Sequence, residues 1–318
     1  MPAVEEHAPA PYHPPGAWVT IGSFDGVHLG HQAIIRKLVE DSHAQASACV
    51  VVTFFPHPAK ALRQLPGPYY LSTPEEKDEM LASLGVDSLL TLHFDRVTAA
   101  MSAEAFIRML HAQLKFTCLL IGHDFRLGAN RSGGFESLSR LGQQIGYCVH
   151  AIQPFQKSSQ PVSSSRIREL LLGGDVHNVR ALLGQPYAIQ GTIVHGDGRG
   201  KHIGLPTANL QVWSEKLLPE SGVYAARALI AGQQLNGVVN IGRRPTFYTQ
   251  PVQQTIEVHL LDFSAGIYGQ EMRLFFIERI RHEKKFDSAQ DLMVQIHQDI
   301  HFAREVLSHE PEPKHISA

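Results

Sequence analysis

In the first half of the chain, apolar positions come in short unbroken runs, each followed by a stretch where they recur every three or four residues. AWVTIG (17–22), ACVVVTFF (48–55), LLTLHF (89–94) and TCLLI (117–121) are runs of strand length bounded by glycine, proline or charge. Ile34, Ile35, Leu38 and Val39 form a helical stripe after the first run. Thr73-Pro74-Glu75-Glu76 opens another helix with a Thr N-cap, Pro in the first turn and Glu placed to close a capping box; it continues through Met80, Leu81 and Leu84 to a stop at Gly85. Ser102 caps a further helix carrying Phe106, Ile107 and Leu110. Buried strands alternating with amphipathic helices predict right-handed crossovers and a parallel sheet covered on both faces. Ligands of such sheets bind at the carboxyl ends of the strands.

After Pro186 the rhythm changes. YAIQGTIVHG, GVYAARALI, QLNGVVNIG, TIEVHLLDF and EMRLFFIERI are five strand-like runs separated by Gly, Pro and Asp turns, with no helical stretch between them. That spacing predicts an antiparallel barrel or sandwich. SAQDLMVQIHQDIHFAREVL then reads as a closing amphipathic helix, with Ser288 and Asp291 at its start and Leu292, Ile296, Ile300 and Ala303 on one face. The helix-breaking Leu-Gly-Gln-Pro near 184–187 divides the 318 residues into a first domain over 1–184 and a second over 185–318.

Composition narrows the function. The chain is 43% apolar and 18% charged with a formal net charge of −2, which is ordinary globular material without the basic excess of a nucleic-acid binder. No apolar stretch approaches the ~18 residues needed to span a bilayer. The first 15 residues are acidic and Pro-rich, lack the basic and apolar regions of a signal peptide, and are expected to be disordered. Cys49, Cys118 and Cys148 lie in apolar runs without CxxC spacing, the pattern of reduced core thiols. A soluble cytoplasmic protein, monomeric or weakly homo-oligomeric, acting on small molecules rather than nucleic acid or membrane, is the expectation.

The chemistry starts at IGSFDGVHLGHQAII (21–35), where the first strand gives way to a helix. Glycines at 22, 26 and 30 permit a tight turn and close backbone approach, and free amides at a helix start favour phosphate. His28 and His31, three residues apart, are placed to stabilise charge developing on a phosphate. An isolated HxxH is otherwise a capping and packing pair, or part of a metal site for which no third ligand is evident. In the second half, GDGRGKHIGLPTANL (196–210) has the wrong spacing for a P-loop, and on its own reads as a Gly-rich turn.

The surrounding strings resemble one family. FDGVHLGH is similar to the HxGH signature of nucleotidyltransferases, in the version carried by the FMN adenylyltransferase module of bifunctional riboflavin kinase/FAD synthetases. GHDFRLGANRSGG (122–134) resembles that module's nucleotide and flavin loop, and PVSSSRIRELLLGGDV (161–176) its phosphate-holding segment. LPTANL resembles the PTAN signature of riboflavin kinases, with GVYAA, NIGRRPTF, IEVHLLDF, IYG and RHEKKF following in family order. The resemblance implies an α/β nucleotidyltransferase domain followed by an antiparallel riboflavin kinase barrel with a C-terminal helix. It implies phosphorylation of riboflavin to FMN and adenylylation of FMN to FAD, with ATP as co-substrate and Mg²⁺ for both steps.

It also assigns residues. His28 and His31 are the expected catalytic pair of the first domain; Gly22, Ser23, Phe24, Ser164, Ser165 and Arg168 contact ATP, and Asp124 and Phe125 face nucleotide or flavin. In the second, Glu257 matches the catalytic base, Gly204, Pro206, Thr207 and Asn209 the Mg²⁺–ATP site, with Thr207 and Asn209 as metal ligands. The chain departs from the family at Ser23 (more often Asn), Ser165 (Thr), Leu127 (an aromatic) and Lys201 (more often Arg). Leu127 is expected to cost stacking surface against the flavin.

Overall fold

The computed structural model describes residues 16–153, 156–157, 160–196, 205–243 and 254–310. The Pro-rich first 15 residues, Lys201 and Gly204 lie outside them. The chain forms two compact units, dividing between Ser164 and Ser165.

The first unit is built on a five-stranded parallel sheet of order β3-β2-β1-β4-β5, comprising β1 (Trp18–Ile21), β2 (Cys49–Phe55), β3 (Ser88–His93), β4 (Cys118–Gly122) and β5 (Cys148–Ile152). Its helices are α1 (Leu29–Ala44), α2 (Pro58–Arg63), α3 (Pro74–Ser83), α4 (Arg96–Ala100), α5 (Ala103–Leu114) and α6 (Phe135–Ile145). Alternation along the strands splits the core in two. Val19, Val50, Val52 and Leu119 face α5 and α6, while Trp18, Val51, Cys118 and Leu120 face α1 and α3. The expected α3 start is present in full: Thr73 Oγ1 accepts from Glu76 N, and the Glu76 carboxylate accepts from Thr73 N. The short α2 and α4 carry no long apolar stripe and lie outside the sequence-based expectation, as does α6, whose Phe135, Leu138, Leu141 and Ile145 recur at helical spacing behind a glycine-flanked start. β6 (Gln156–Lys157) and β7 (Gln160–Pro161) form a small antiparallel pair.

The second unit begins with α7 (Ser164–Leu172, from its second residue) and α8 (Val176–Leu183). α8 packs on β8 and β13, and Glu220 N donates to Leu171 O, so these helices group with the barrel rather than with the sheet that precedes them. The barrel is closed, of order β10-β11-β12-β9-β8-β13. Its strands are β8 (Tyr187–Val194), β9 (Ala208–Val212), β10 (Gly222–Ile230), β11 (Gln233–Arg243), β12 (Gln254–Leu260) and β13 (Glu271–His282). Six strands stand where five apolar runs predict five. The sixth, β9, comes from the PTAN stretch, which is too short and polar to register as a strand before its neighbours are known. α9 (Ala289–His309) closes the chain, with Ser288 Oγ accepting from Asp291 N at its cap. It covers β10, β11 and β13 through Ala303 and Leu307, and its buried Asp299 takes a bidentate pair from Arg281. Among the described residues, no helix is long and apolar enough to cross a membrane.

Candidate functional site

β1 ends at Ile21, and the chain turns through Gly22–His28 before entering α1. The turn is tight. Phe24 (φ 46°) and Val27 (φ 36°) both take left-handed backbone, as does Gly26, where an added Cβ would lie 2.9 Å from Leu71 Cβ. Asp25 holds the turn in place from inside. Its buried carboxylate accepts from Leu71 N (3.0 Å) and Ser72 N (3.1 Å), and Ser72 Oγ accepts from Gly26 N (3.1 Å). On the other side, Lys77 Nζ donates to Thr53 Oγ1, which donates to Ser23 O, both at 3.1 Å. Burial pushes the Lys77 ammonium below its ordinary range, against the opposing pull of Asp25 and Asp78.

This clamped turn delivers the two histidines. His28 is the N-cap of α1, its Nδ1 accepting from His31 N at 3.3 Å. The two rings stack with centroids 3.6 Å apart and planes 17° apart, and the Phe24 ring meets His31 edge-on at 5.2 Å. Gly30 leaves room for this: a Cβ there would lie 3.2 Å from the His28 ring. Burial, then the neighbouring His28 and His57, hold His31 well below the usual imidazole range. His31 Nδ1 is buried without a hydrogen-bond partner among the described residues. A neutral ring with an unpaired polar atom, at the amide end of a helix, is suited to meeting an anion. Alongside lies a small cleft lined by Ser23, Phe54, Phe55, His57, Tyr70 and Lys77 among others. His57 N donates to Tyr70 Oη at 2.9 Å, so the TFFPHP turn forms one of its walls.

The other first-domain candidates divide. Gly22, Ser23, Phe24, His28 and His31 share the clamped turn, and Ser164 joins it by donating to Asp25 O at 3.1 Å. Ser165 is exposed and Arg168 half-buried further along α7. In the 122–134 loop, Asp124 is 85% exposed and Phe125 packs against the core edge. Leu127 departs from expectation. Its side chain is buried in the core facing α5, and its backbone bridges Gly133, so it presents no face to a ligand. Losing an aromatic there changes packing, not stacking. Gly128 and Gly133 let that loop lie on Ala103, since a Cβ on either would come within 2.4 Å of it.

In the barrel, Glu257 pairs in register with Asn209 of β9 on one side and Asn240 of β11 on the other. Ile256, Val258 and Leu260 are buried and Thr255, Glu257 and His259 half-buried, so the carboxylate lies on the face of β12 away from the apolar interior. Thr207 and Asn209 alternate outward in the same way around the buried Ala208, and His259 Nδ1 lies 2.9 Å from Pro206 O. Among the described residues, the side chains of Thr207, Asn209 and Glu257 have no hydrogen-bond or ion-pair partner. Gly196 supports this stripe: a Cβ there would lie 1.9 Å from Asn209 Nδ2. A carboxylate between oxygen-bearing amides and a hydroxyl is a hard donor set with capacity for a cation and a proton. Sequence reasoning missed Asp25, Thr53, Ser72, Lys77 and Gly196, whose roles depend on partners distant in the chain.

Comparison with known proteins agrees with both halves. The FAD synthetase family matches residues 10–166, and the riboflavin kinase family residues 183–307. The bifunctional riboflavin kinase/FMN adenylyltransferase of Escherichia coli (strain K12) is 39% identical over 294 residues, covering 91% of this chain and 92% of that protein. The protein of the same name from Bacillus subtilis (strain 168) is 37% identical, over 88% and 89% of the two chains. A crystal structure described as a macrolide-efflux protein from Streptococcus pneumoniae superposes with a TM-score of 0.84 at 30% identity, over 92% of this chain and 94% of that one.

Proposed function

The chain belongs to the bifunctional riboflavin kinase/FMN adenylyltransferases, transferases that use ATP on flavins, and on that premise we propose which residues carry each transfer. The parallel-sheet domain carries the adenylyl transfer and the barrel domain the phosphorylation.

In the first reaction the ribityl hydroxyl of riboflavin attacks the outer phosphorus of ATP, the bond to the bridging oxygen breaks and ADP leaves, and Glu257 accepts the hydroxyl proton as the new bond forms. Gly204, Pro206, Thr207 and Asn209 hold the nucleotide phosphates. The oxygens of Thr207 and Asn209, on the same face as Glu257 and without a partner among the described residues, fit Mg²⁺, which prefers hard oxygen donors and phosphate. When bound, that ion neutralises polyphosphate charge.

In the second reaction a phosphate oxygen of FMN attacks the innermost phosphorus of ATP, and pyrophosphate leaves. His28 and His31 donate to the phosphate oxygens as charge builds, while Gly22, Ser23 and Phe24 shape the turn around the nucleotide. Ser164, Ser165 and Arg168 hold the departing phosphates, and Asp124 and Phe125 flank nucleotide or flavin. Reduced cysteines and small-molecule substrates suit a cytoplasmic enzyme working as a monomer or weak homo-oligomer.

The observation that carries this reading is the stacked His28–His31 pair at the start of α1, with a neutral His31 ring whose buried Nδ1 has no partner among the described residues. Incubation of the purified chain with riboflavin, ATP and Mg²⁺, followed by chromatography, tests it. The wild type yields FMN and then FAD. His31→Ala yields FMN with FAD formation reduced about 10²–10³-fold. Glu257→Gln makes little FMN from riboflavin yet converts added FMN to FAD. Equal loss of both products in either variant contradicts the assignment.

A further inference from the structure

β5 is an edge strand, and its first residue, Cys148, is exposed rather than buried in the core as its apolar run suggests. The parallel register places it directly beside Cys118, the first residue of β4. Cys148 and His150 lie two residues apart on one face, and Val149 turns to the α6 side. The sulfurs of Cys118 and Cys148 and a ring nitrogen of His150 lie within 4.8 Å of one another. The His150 ring also stacks on Trp18, with centroids 5.6 Å apart and planes 19° apart, which limits its orientations.

We propose that Cys118, Cys148 and His150 form a binding site for a thiophilic divalent cation of the zinc type, joining the edge strand β5 to β4. The donor set is right for such an ion, since two thiolates and an imidazole select borderline-soft metals over magnesium. The spacing is close. Ligand atoms of a tetrahedral zinc centre lie roughly 3.3–3.8 Å apart, and rotation of the exposed Cys148 side chain can close the remaining ångström. The buried Cys118 thiol supplies a fixed inner ligand, and the solvent side leaves the fourth position to water. Asp41 of α1 adds negative charge towards Cys118, although its carboxylate is engaged by Lys37 at 2.7 Å and is not counted as a ligand. Ligation by the two thiolates balances the charge of one divalent cation, and because it displaces protons the uptake is pH-dependent.

This centre is separate from the nucleotide chemistry. It sits at the amino ends of β4 and β5, whereas the histidine pair follows the carboxyl end of β1, roughly 13 Å of strand away. Its effect is therefore on the stability of the sheet edge, not on turnover.

The test is titration of the reduced, chelator-treated full chain with Co²⁺, read by absorption and by tryptophan emission. A thiolate-to-cobalt charge-transfer band saturating at one Co²⁺ per chain, displaced by Zn²⁺ and accompanied by a change in Trp18 emission, is expected. The band should vanish in Cys148→Ser, and affinity should fall at least about tenfold in His150→Gln. Both changes are at exposed positions, so unchanged FMN and FAD formation verifies that these variants fold. Zn²⁺ at a hundredfold excess over its Kd should raise the wild-type Tm by about 5–10 °C and leave that of Cys148→Ser unmoved. Absence of the charge-transfer band, or full metal affinity in either variant, overturns the proposal.

Discussion

The Asp25 carboxylate and the Ser72 hydroxyl meet 3.4 Å apart in the interior, tying the turn that carries the histidine pair to the residue before the N-cap of α3. Asp25 also accepts from two backbone amides, so removing it leaves buried donors without partners. Asp25→Ala should cost about 2–4 kcal/mol in the first unit, against about 1 kcal/mol for Ser72→Ala. FAD formation should fall in both while phosphorylation of riboflavin persists. Thermal unfolding together with the two product assays checks this.

A pH dependence follows from His31. Its ring is held well below the ordinary imidazole value of 6.5, so between the folded value and 6.5 the unfolded chain binds more protons than the folded one. The stability gained from keeping this ring neutral is complete above 6.5 and is lost as pH falls through that window. From about pH 7 to about pH 5 the wild-type Tm should therefore drop more steeply than that of His31→Asn. Parallel curves would refute the assignment.

Gly196 makes a prediction confined to the barrel. A methyl group there meets Asn209 Nδ2 at 1.9 Å and must displace it. Gly196→Ala should raise the KM for ATP in riboflavin phosphorylation by about tenfold or more, because a small displacement of a positioning group is costly. Conversion of added FMN to FAD should be unaffected. Steady-state kinetics of the two reactions, measured separately, decides the matter.

The buried pair of Arg281 and Asp299 anchors α9 to β13, with Asp299 only 3% exposed and bonds of 2.9–3.0 Å. Asp299→Ala leaves a guanidinium without its partner and should destabilise the barrel by about 3–5 kcal/mol. Differential scanning calorimetry should show a lowered barrel transition, whereas Asp291→Ala, at the exposed helix start, should lower it far less.

Local grammar made the sheet, the α3 cap, the Ser288 cap and the closing helix legible in the sequence, because each is written in residues that touch within one or two turns. The motifs likewise placed His28 and His31 at a strand-to-helix junction and Glu257 within a strand-like run. Other features had no local signature. The PTAN stretch becomes a barrel strand only because β8 and β12 offer it ladder partners, and Leu127 enters the core only because Ala103 and the glycines beside it admit the loop.

Periodicity records which way a residue faces, but how deeply it is buried depends on what lies opposite. For that reason Cys118 and Cys148, in similar apolar runs, end in different environments: one under α1, the other on an uncovered edge beside a histidine. The clamp of Asp25, Ser72, Thr53 and Lys77 is of the same kind. Its partners are tens of residues apart, and only the folding of distant segments against one another turned ordinary polar residues into the support of a site.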